Sequence, residues 1–229
     1  MELSAIIPTY NEKDNIEELI NRINRECSRH NISTEVIVVD DNSPDGTADA
    51  VRKAMKKNKN VRLIVRKKKE GVGAAIFQGY NEAKGKIVGS IDADLSIDPK
   101  YIPRVYDKIK EGYDVVTGSV YIKGAKVIGK PKLKAFISRC ANIFTAILLD
   151  MNLHDYTLNF RFFKRKALPK KNKIKDNVML VESLYYAKLN GFKLGEIPIT
   201  FIERKKGKSK MRLGRLMFYG FIELMKLRF

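Results

Sequence analysis

Apolar and polar positions change rhythm in regular blocks along the first half of the chain. Leu3–Pro8 is continuously apolar and predicts a strand buried on both faces. After Pro8-Thr9-Tyr10-Asn11-Glu12 the period becomes helical, with Ile16, Leu19, Ile20 and Ile23 as the buried stripe and Asp14 with Glu17 as a capping box. The alternation then repeats. Strands are predicted over Glu35–Val39, Val61–Val65, Ile87–Ile91 and Val115–Gly118. Between them lie helices from Thr47 to about Asn58, from Gly71 to Lys84, and over Pro99–Glu111, the last capped by Asp98. Strands and helices in strict alternation argue for an α/β, doubly wound, parallel sheet. Right-handed crossovers then bring every strand tip to one edge.

The second half is less regular. Gly124–Lys134 reads as a basic, mobile loop, and Leu133–Leu149 as an apolar helix carrying Lys134, Ser138 and Arg139. Thr157–Phe163 predicts a strand, Val178–Asn190 a helix stopped by Gly191, and Leu194–Phe201 a further strand. Glu203–Lys210 is a basic loop. Met211–Phe229 is a helix with Leu213, Leu216, Met217, Gly220 and Leu224 on one side and basic residues elsewhere. We expect one domain over residues 1–229: a ligand-binding half over 1–119, an irregular half over 120–210, and a basic amphipathic helix over 211–229.

Three of the predicted tips carry acids. Glu12 follows the first strand, Asp40 and Asp41 end the second, and Asp92 and Asp94 follow the central one. Carboxylates spaced i, i+2 at a strand tip lie on one side and can converge on a hard cation such as magnesium or manganese, which would still need phosphate oxygens. Turn chemistry is the plain alternative for any single D-x-D. Acids gathered at one rim are harder to explain that way. Other phosphate signatures are missing. Gly71-x-Gly73 has Ile76 where a dinucleotide motif needs glycine and does not follow the first strand, and no P-loop pattern occurs.

Charge sharpens the picture. Lys and Arg number 45 against 26 Asp and Glu, a formal net charge of +19, which suits a polyanion, an anionic membrane surface or a strongly anionic substrate. A nucleic-acid-binding module fits that charge, yet no reading helix or aromatic RNA platform is evident, and rim carboxylates would repel phosphates. Cys27 and Cys140 sit in helical patterns and read as reduced core thiols. His30 and His154 are isolated, which argues against a histidine metal site or triad. The N-terminus runs straight into a strand without a signal peptide, and no window reaches the roughly 18–20 uncharged residues of a span. Arg204–Lys210 is either a solvated charge run or a flap that folds over a diphosphate. The last helix is either core packing or a headgroup-layer device, with membrane anchoring expected if the natural chain continues past Phe229.

At this point the residues resemble the family 2 glycosyltransferases of the GT-A fold, most nearly the dolichyl-phosphate mannose synthase branch. The likeness rests on I-P-T-Y-N-E at 7–12, V-V-D-D-N-S-P-D-G-T at 38–47, D-A-D-L-S at 92–96, I-S-R-C-A-N at 137–142, D-Y-T-L-N-F-R at 155–161, G-E-I-P-I-T-F at 195–201 and the R-x-x-G-x-S-K flap. The resemblance implies that Pro8, Tyr10, Glu12, Val39 and Asp41 hold base and ribose, and that Asp92, Ala93 and Asp94 approach ribose and diphosphate. It implies Asp92, Asp94 and Ser96 around Mg2+ or Mn2+, with Asp94, Arg204 and Lys210 carrying catalysis and the last two clamping the donor. Lys134 and Ser138 fall where such enzymes bind the acceptor phosphate, with Lys123, Lys126 or Lys130 as a compensating cation; Glu182 matches a recurrent acid without an assigned role. Where the family has Arg after the fifth strand this chain has Val120, and a second family Arg is Lys134, so fork geometry toward a phosphate is lost. The implied activity is inverting hexose transfer, foremost mannose from GDP-mannose, to polyprenyl or dolichyl phosphate on the cytoplasmic face of a membrane. Alternatives are a UDP-glucose-type donor with another acceptor, or an inactive scaffold.

Overall fold

The computed structural model describes residues 1–170, 178–203 and 222–228. Its first half follows the predicted alternation: β1 (Leu3–Thr9), α1 (Lys13–Arg29), β2 (Thr34–Asp40), α2 (Thr47–Lys57), β3 (Val61–Val65), α3 (Val72–Glu82), β4 (Ile87–Ile91), α4 (Ile102–Lys110) and β5 (Val115–Ser119). A 3-10 turn, Pro99–Tyr101, leads into α4, and Asp98 caps it by accepting from Lys100 N at 2.9 Å. Two predicted caps are replaced. Glu12, not Asp14, occupies the cap of α1, so Asp14 lies inside the first turn, where a carboxylate favours the helix dipole. At α2 the Asp45 carboxylate, not Thr47, serves the helix start, accepting from Thr47 N (2.9 Å) and Thr47 Oγ1 (2.6 Å).

The later elements are β6 (Lys126–Ile128), α5 (Lys132–Leu148), β7 (Phe160–Lys164), α6 (Val178–Leu189), β8 (Leu194–Pro198) and β9 (Thr200–Ile202). Seven strands form one sheet in the order β3-β2-β1-β4-β7-β5-β8. All neighbours are parallel except β7, which runs antiparallel between β4 and β5 and pairs Ser90 with Arg161 and Ile91 with Phe160. This inversion positions the site: it brings the start of β7 to the tip of β4. The predicted loop over 124–134 contains β6, which pairs parallel with β9, and the single strand predicted over 194–201 divides between the two sheets. The division falls at Pro198-Ile199. Proline cannot donate to a ladder, and Ile199 turns its N–H to Ser119 O and its carbonyl to Lys126 N.

Successive residues of β1 serve opposite layers. Ile7 packs with α1, α2 and α4, while Ile6 packs with α3 and α6. Each such fully buried side chain contributes about 1.5–3 kcal/mol. The fit is close where α3 lies on β1 and where β7 pairs with β4. A Cβ at Gly79 would lie 2.3 Å from Ile6, and one at Gly89 would lie 2.0 Å from Phe162, so both positions require glycine. Helix α5 is different. Its buried residues are Asn142 and Thr145, while Leu133, Phe136, Ile143, Phe144 and Ile147 are exposed. Cys27 is buried as predicted, but Cys140 is exposed on this helix, because the apolar stripe of α5 faces outward. Of the predicted terminal helix, residues 222–228 are helical and Leu224 and Leu227 pack on the α3/α6 layer; residues 211–221 and 229 lie outside the described residues.

Candidate active site

The tips of β1 and β2 are tied together by side chains. Thr9 Oγ1 donates to Asp40 Oδ1 at 3.0 Å, and Ser43 donates to the same carboxylate through its N–H (2.9 Å) and hydroxyl (2.5 Å). Asn11 and Asn42 take positive φ, which asparagine tolerates, and the turn of residues 10–13 is fastened across to 43–47. Asn11 N donates to Ser43 Oγ, Glu12 N to Thr47 Oγ1, and Lys13 N to Asp45 Oδ2. Burial alone would push the Asp45 carboxyl up; these hydrogen bonds, Thr47's first, outweigh it and hold the group low.

Asp41 is buried beside this seam. Its Oδ1 accepts from Arg66 Nη1 at 2.5 Å and its Oδ2 from Gly71 N at 3.2 Å, and Arg66 also pairs with Glu70. Tyr10 is half-buried, with the Lys69 ammonium 3.7 Å from its ring centroid, a cation–π contact. Pro8 and Val39 are buried in the sheet, so their side chains belong to the packing under the rim. Glu12 is half-buried and accepts from Asn15 Nδ2 at 2.9 Å.

The central tip brings Asp92, Ala93, Asp94 and Ser96 into one turn, with Leu95 at φ 59°. Ser96 N donates to Asp94 Oδ1 at 3.0 Å. Asp92 Oδ1 accepts from Asn159 Nδ2 at 2.8 Å, a contact created by the antiparallel β7. Beneath it, Arg161 is fully buried and donates to the carbonyls of Tyr156, Leu158 and Leu180. Burial pushes its pKa down to about 10, against the pull of Tyr80, Asp155 and Asp92, so it stays a cation at neutral pH. Asp155 is buried too. Desolvation raises its carboxyl, although Thr157 and the Val120 N–H both donate to it.

Ser96 Oγ is buried with no hydrogen-bond partner among the described residues. Among the described residues, no group of three or more His, Cys, Asp or Glu is placed to hold a metal. Two carboxylates and one hydroxyl fall short of the six oxygens magnesium takes, so the turn suits an ion that completes its shell with phosphate oxygens.

The residues expected to take the acceptor phosphate lie on α5 and before β6. Lys134 and Lys123 are exposed and Ser138 is half-buried on α5. Lys134 Nζ lies 3.9 Å from Glu203 Oε1. Strand β9 runs beside the central turn, with Ile202 N donating to Ser96 O at 2.9 Å, so the described chain reaches 203 next to both Ser96 and Lys134. Arg204 and Lys210 lie outside the described residues. Val120 is partly buried against the α1/α4 layer, and Glu182 is buried in α6. The sequence reading assigned no role to Arg66, Lys69, Asn159 or Arg161; only the quoted 155–161 motif pointed toward the last two.

The family model "Glycosyl transferase family 2" matches residues 4–170. The chain belongs to glycosyl transferase family 2. This transferase is 34% identical over 215 residues to the polyprenol monophosphomannose synthase of Mycolicibacterium smegmatis, covering 90% of this chain and 80% of the relative. It is 35% identical to the dolichol-phosphate mannosyltransferase of Pyrococcus furiosus, covering 95% of this chain but 61% of that protein's length. Among solved structures it matches glucosyl-3-phosphoglycerate synthase from Mycobacterium tuberculosis, solved with Mn2+, UDP and phosphoglyceric acid, at TM-score 0.75, 17% identity and 98% and 78% coverage of the two chains. Mannosyl-3-phosphoglycerate synthase from Rubrobacter xylanophilus matches at TM-score 0.75 and 17% identity, with 98% and 73% coverage. The fold is the GT-A fold of these enzymes.

Proposed function

We propose that this transferase moves a hexose, foremost mannose from GDP-mannose, onto a polyprenyl or dolichyl phosphate, with inversion at the sugar carbon. The observation that carries the reading is the Asp92–Ser96 turn: two acids at the tip of the central strand in one turn with a buried hydroxyl that has no partner among the described residues. The names of the two relatives support a polyprenyl phosphate acceptor and a mannosyl donor. In this reading Asp92, Asp94 and Ser96 hold Mg2+ or Mn2+, which when bound supplies positive charge to the departing diphosphate. Pro8, Tyr10, Glu12, Val39 and Asp41 surround base and ribose, and Ala93 lets the chain approach the ribose closely. Arg204 and Lys210 clamp the diphosphate, and Lys134, Ser138 and Lys123 take the acceptor phosphate.

A phosphate monoester is already anionic near neutral pH, so the acceptor needs no general base. The basic residues instead hold it against the repulsion of the donor. The apolar face of α5 fits the same reading. Leu133, Phe136, Ile143, Phe144 and Ile147 form one outward stripe flanked by Lys132, Lys134 and Arg139, a composition suited to lying in an anionic headgroup layer. Among the described residues no helix is long and apolar enough to cross a membrane. We propose that the enzyme works on the cytoplasmic face of a membrane, with α5 against the lipid.

The test is transfer of labelled hexose from GDP-mannose or UDP-glucose to a short polyprenyl phosphate with Mn2+. A lipid-extractable product from GDP-mannose that disappears with EDTA is expected. Nucleotide binding without transfer to any polyprenyl phosphate would leave an inactive scaffold instead.

A further inference from the structure

Behind Asp92 runs a chain of buried hydrogen bonds. Tyr80 OH lies 3.2 Å from Ser90 Oγ, Ser90 Oγ donates to Asn159 Oδ1 at 2.5 Å, and Asn159 Nδ2 donates to Asp92 Oδ1 at 2.8 Å. Tyr80, Ser90 and Asn159 are each at most 3% exposed. The direction of the chain is fixed from one end. An ionised carboxylate only accepts, so the Asn159 amide must turn its NH2 to Asp92 and its carbonyl to Ser90. Ser90 has one proton and gives it to Asn159; it can therefore only accept from Tyr80, which must stay a phenol. Three elements, α3, β4 and β7, thus converge on one oxygen of one acid at the rim.

We propose that Asn159 is a positioning residue: held by Ser90 and Tyr80, it fixes the orientation of the Asp92 carboxylate toward the cation and pyrophosphate. This rests on the reading that Asp92 belongs to a metal–nucleotide site. An unanchored carboxylate would lose rotational freedom on each binding event, and the relay removes that loss beforehand. Arg161, paired across from Ser90 on β7, holds the start of that strand by its three carbonyl contacts and so keeps Asn159 in reach of the acid.

The test titrates Mn2+ into the full chain with saturating GDP, and separately with UDP, and reads bound metal by electron paramagnetic resonance. Metal-free nucleotide binding is measured by calorimetry alongside. Asn159→Ala should weaken Mn2+ about tenfold or more, as loss of an outer-shell partner typically does, while metal-free nucleotide affinity stays within about twofold. Ser90→Ala removes the anchor with little change in volume and should weaken Mn2+ in the same direction by a smaller factor; it carries the test if Asn159→Ala does not fold. Wild-type Mn2+ affinity in Ser90→Ala and in any Asn159→Ala that folds would overturn the positioning role and leave the proposed function standing. If the wild type itself takes up no Mn2+ with either nucleotide, the functional reading falls and this inference with it.

Discussion

The two regions proposed to bind donor and acceptor are built on opposite plans. In the first, the acids are cross-linked: buried Asp40 by Thr9 and Ser43, buried Asp41 by Arg66 and Gly71, and half-buried Asp92 by Asn159. On the acceptor side the order is reversed. Helix α5 buries Asn142 and Thr145 and shows its leucine, isoleucine and phenylalanine outward, and every residue of β6 is exposed. The donor rim is braced by the protein's own contacts, and the Ser96 hydroxyl is left without a partner among the described residues. The acceptor side leaves apolar surface that water opposes, which is the signature of a surface meant for an outside partner.

Breaking a donor-side lock should cost the most. Arg66→Ala leaves the Asp41 carboxylate buried without its cation, and an uncompensated buried charge costs about 3–5 kcal/mol, read as a lower midpoint in chemical denaturation. Asp94→Asn should lower transfer about 10²–10³-fold, comparable to losing one preorganised electrostatic contact, with the denaturation midpoint near wild type. On the acceptor side, Phe136→Glu with Ile147→Glu should weaken sedimentation with anionic vesicles about tenfold or more while leaving the thermal midpoint within a degree or two, since neither side chain is packed.

A smaller effect separates the foot of the sheet from both sides. Glu35 is buried, which would raise its pKa, yet hydrogen bonds from Ser4 Oγ (2.6 Å), Lys84 N (2.6 Å) and Arg62 hold it below the ordinary 4.5. A depressed carboxylate contributes stability above its unfolded pKa and loses it as pH falls through the folded one. Glu35→Gln should therefore be less stable than wild type by about 1–2 kcal/mol at pH 7, with the gap closing below pH 4.5. The smallest effect is expected from Val120→Arg. Restoring a guanidinium beside the acceptor should raise transfer to polyprenyl phosphate roughly fivefold, about one hydrogen bond's worth, and no rise would mean that the missing fork does not limit the reaction.

What the sequence discloses follows the same division. Strands β1 to β5 were readable because each is an apolar run between turn residues, and Asp92 and Asp94 were readable because they interrupt one of those runs. The antiparallel entry of β7 was not. Five residues of Phe160–Lys164 carry no mark of direction, so neither the meeting of Asn159 with Asp92 nor the burial of Arg161 followed from local pattern. For α5 the stripe was visible but not the side it faces. Periodicity locates an apolar face, and only the burial of Asn142 and Thr145 reveals that it points away from the sheet. No local pattern marks Arg66, because its partner, Asp41, lies 25 positions earlier in the chain.

The central claim is that a cationic molecule gathers carboxylates at one rim to share a divalent ion with a sugar-nucleotide pyrophosphate. Crystals grown with Mn2+ and GDP test it most directly, by anomalous scattering at the manganese edge. One strong peak is expected within ligand distance of Asp94, next to the diphosphate oxygens and with the base beside Tyr10. Ordered GDP in the cleft with no manganese at the Asp92–Ser96 turn, or manganese bound only elsewhere, would contradict it.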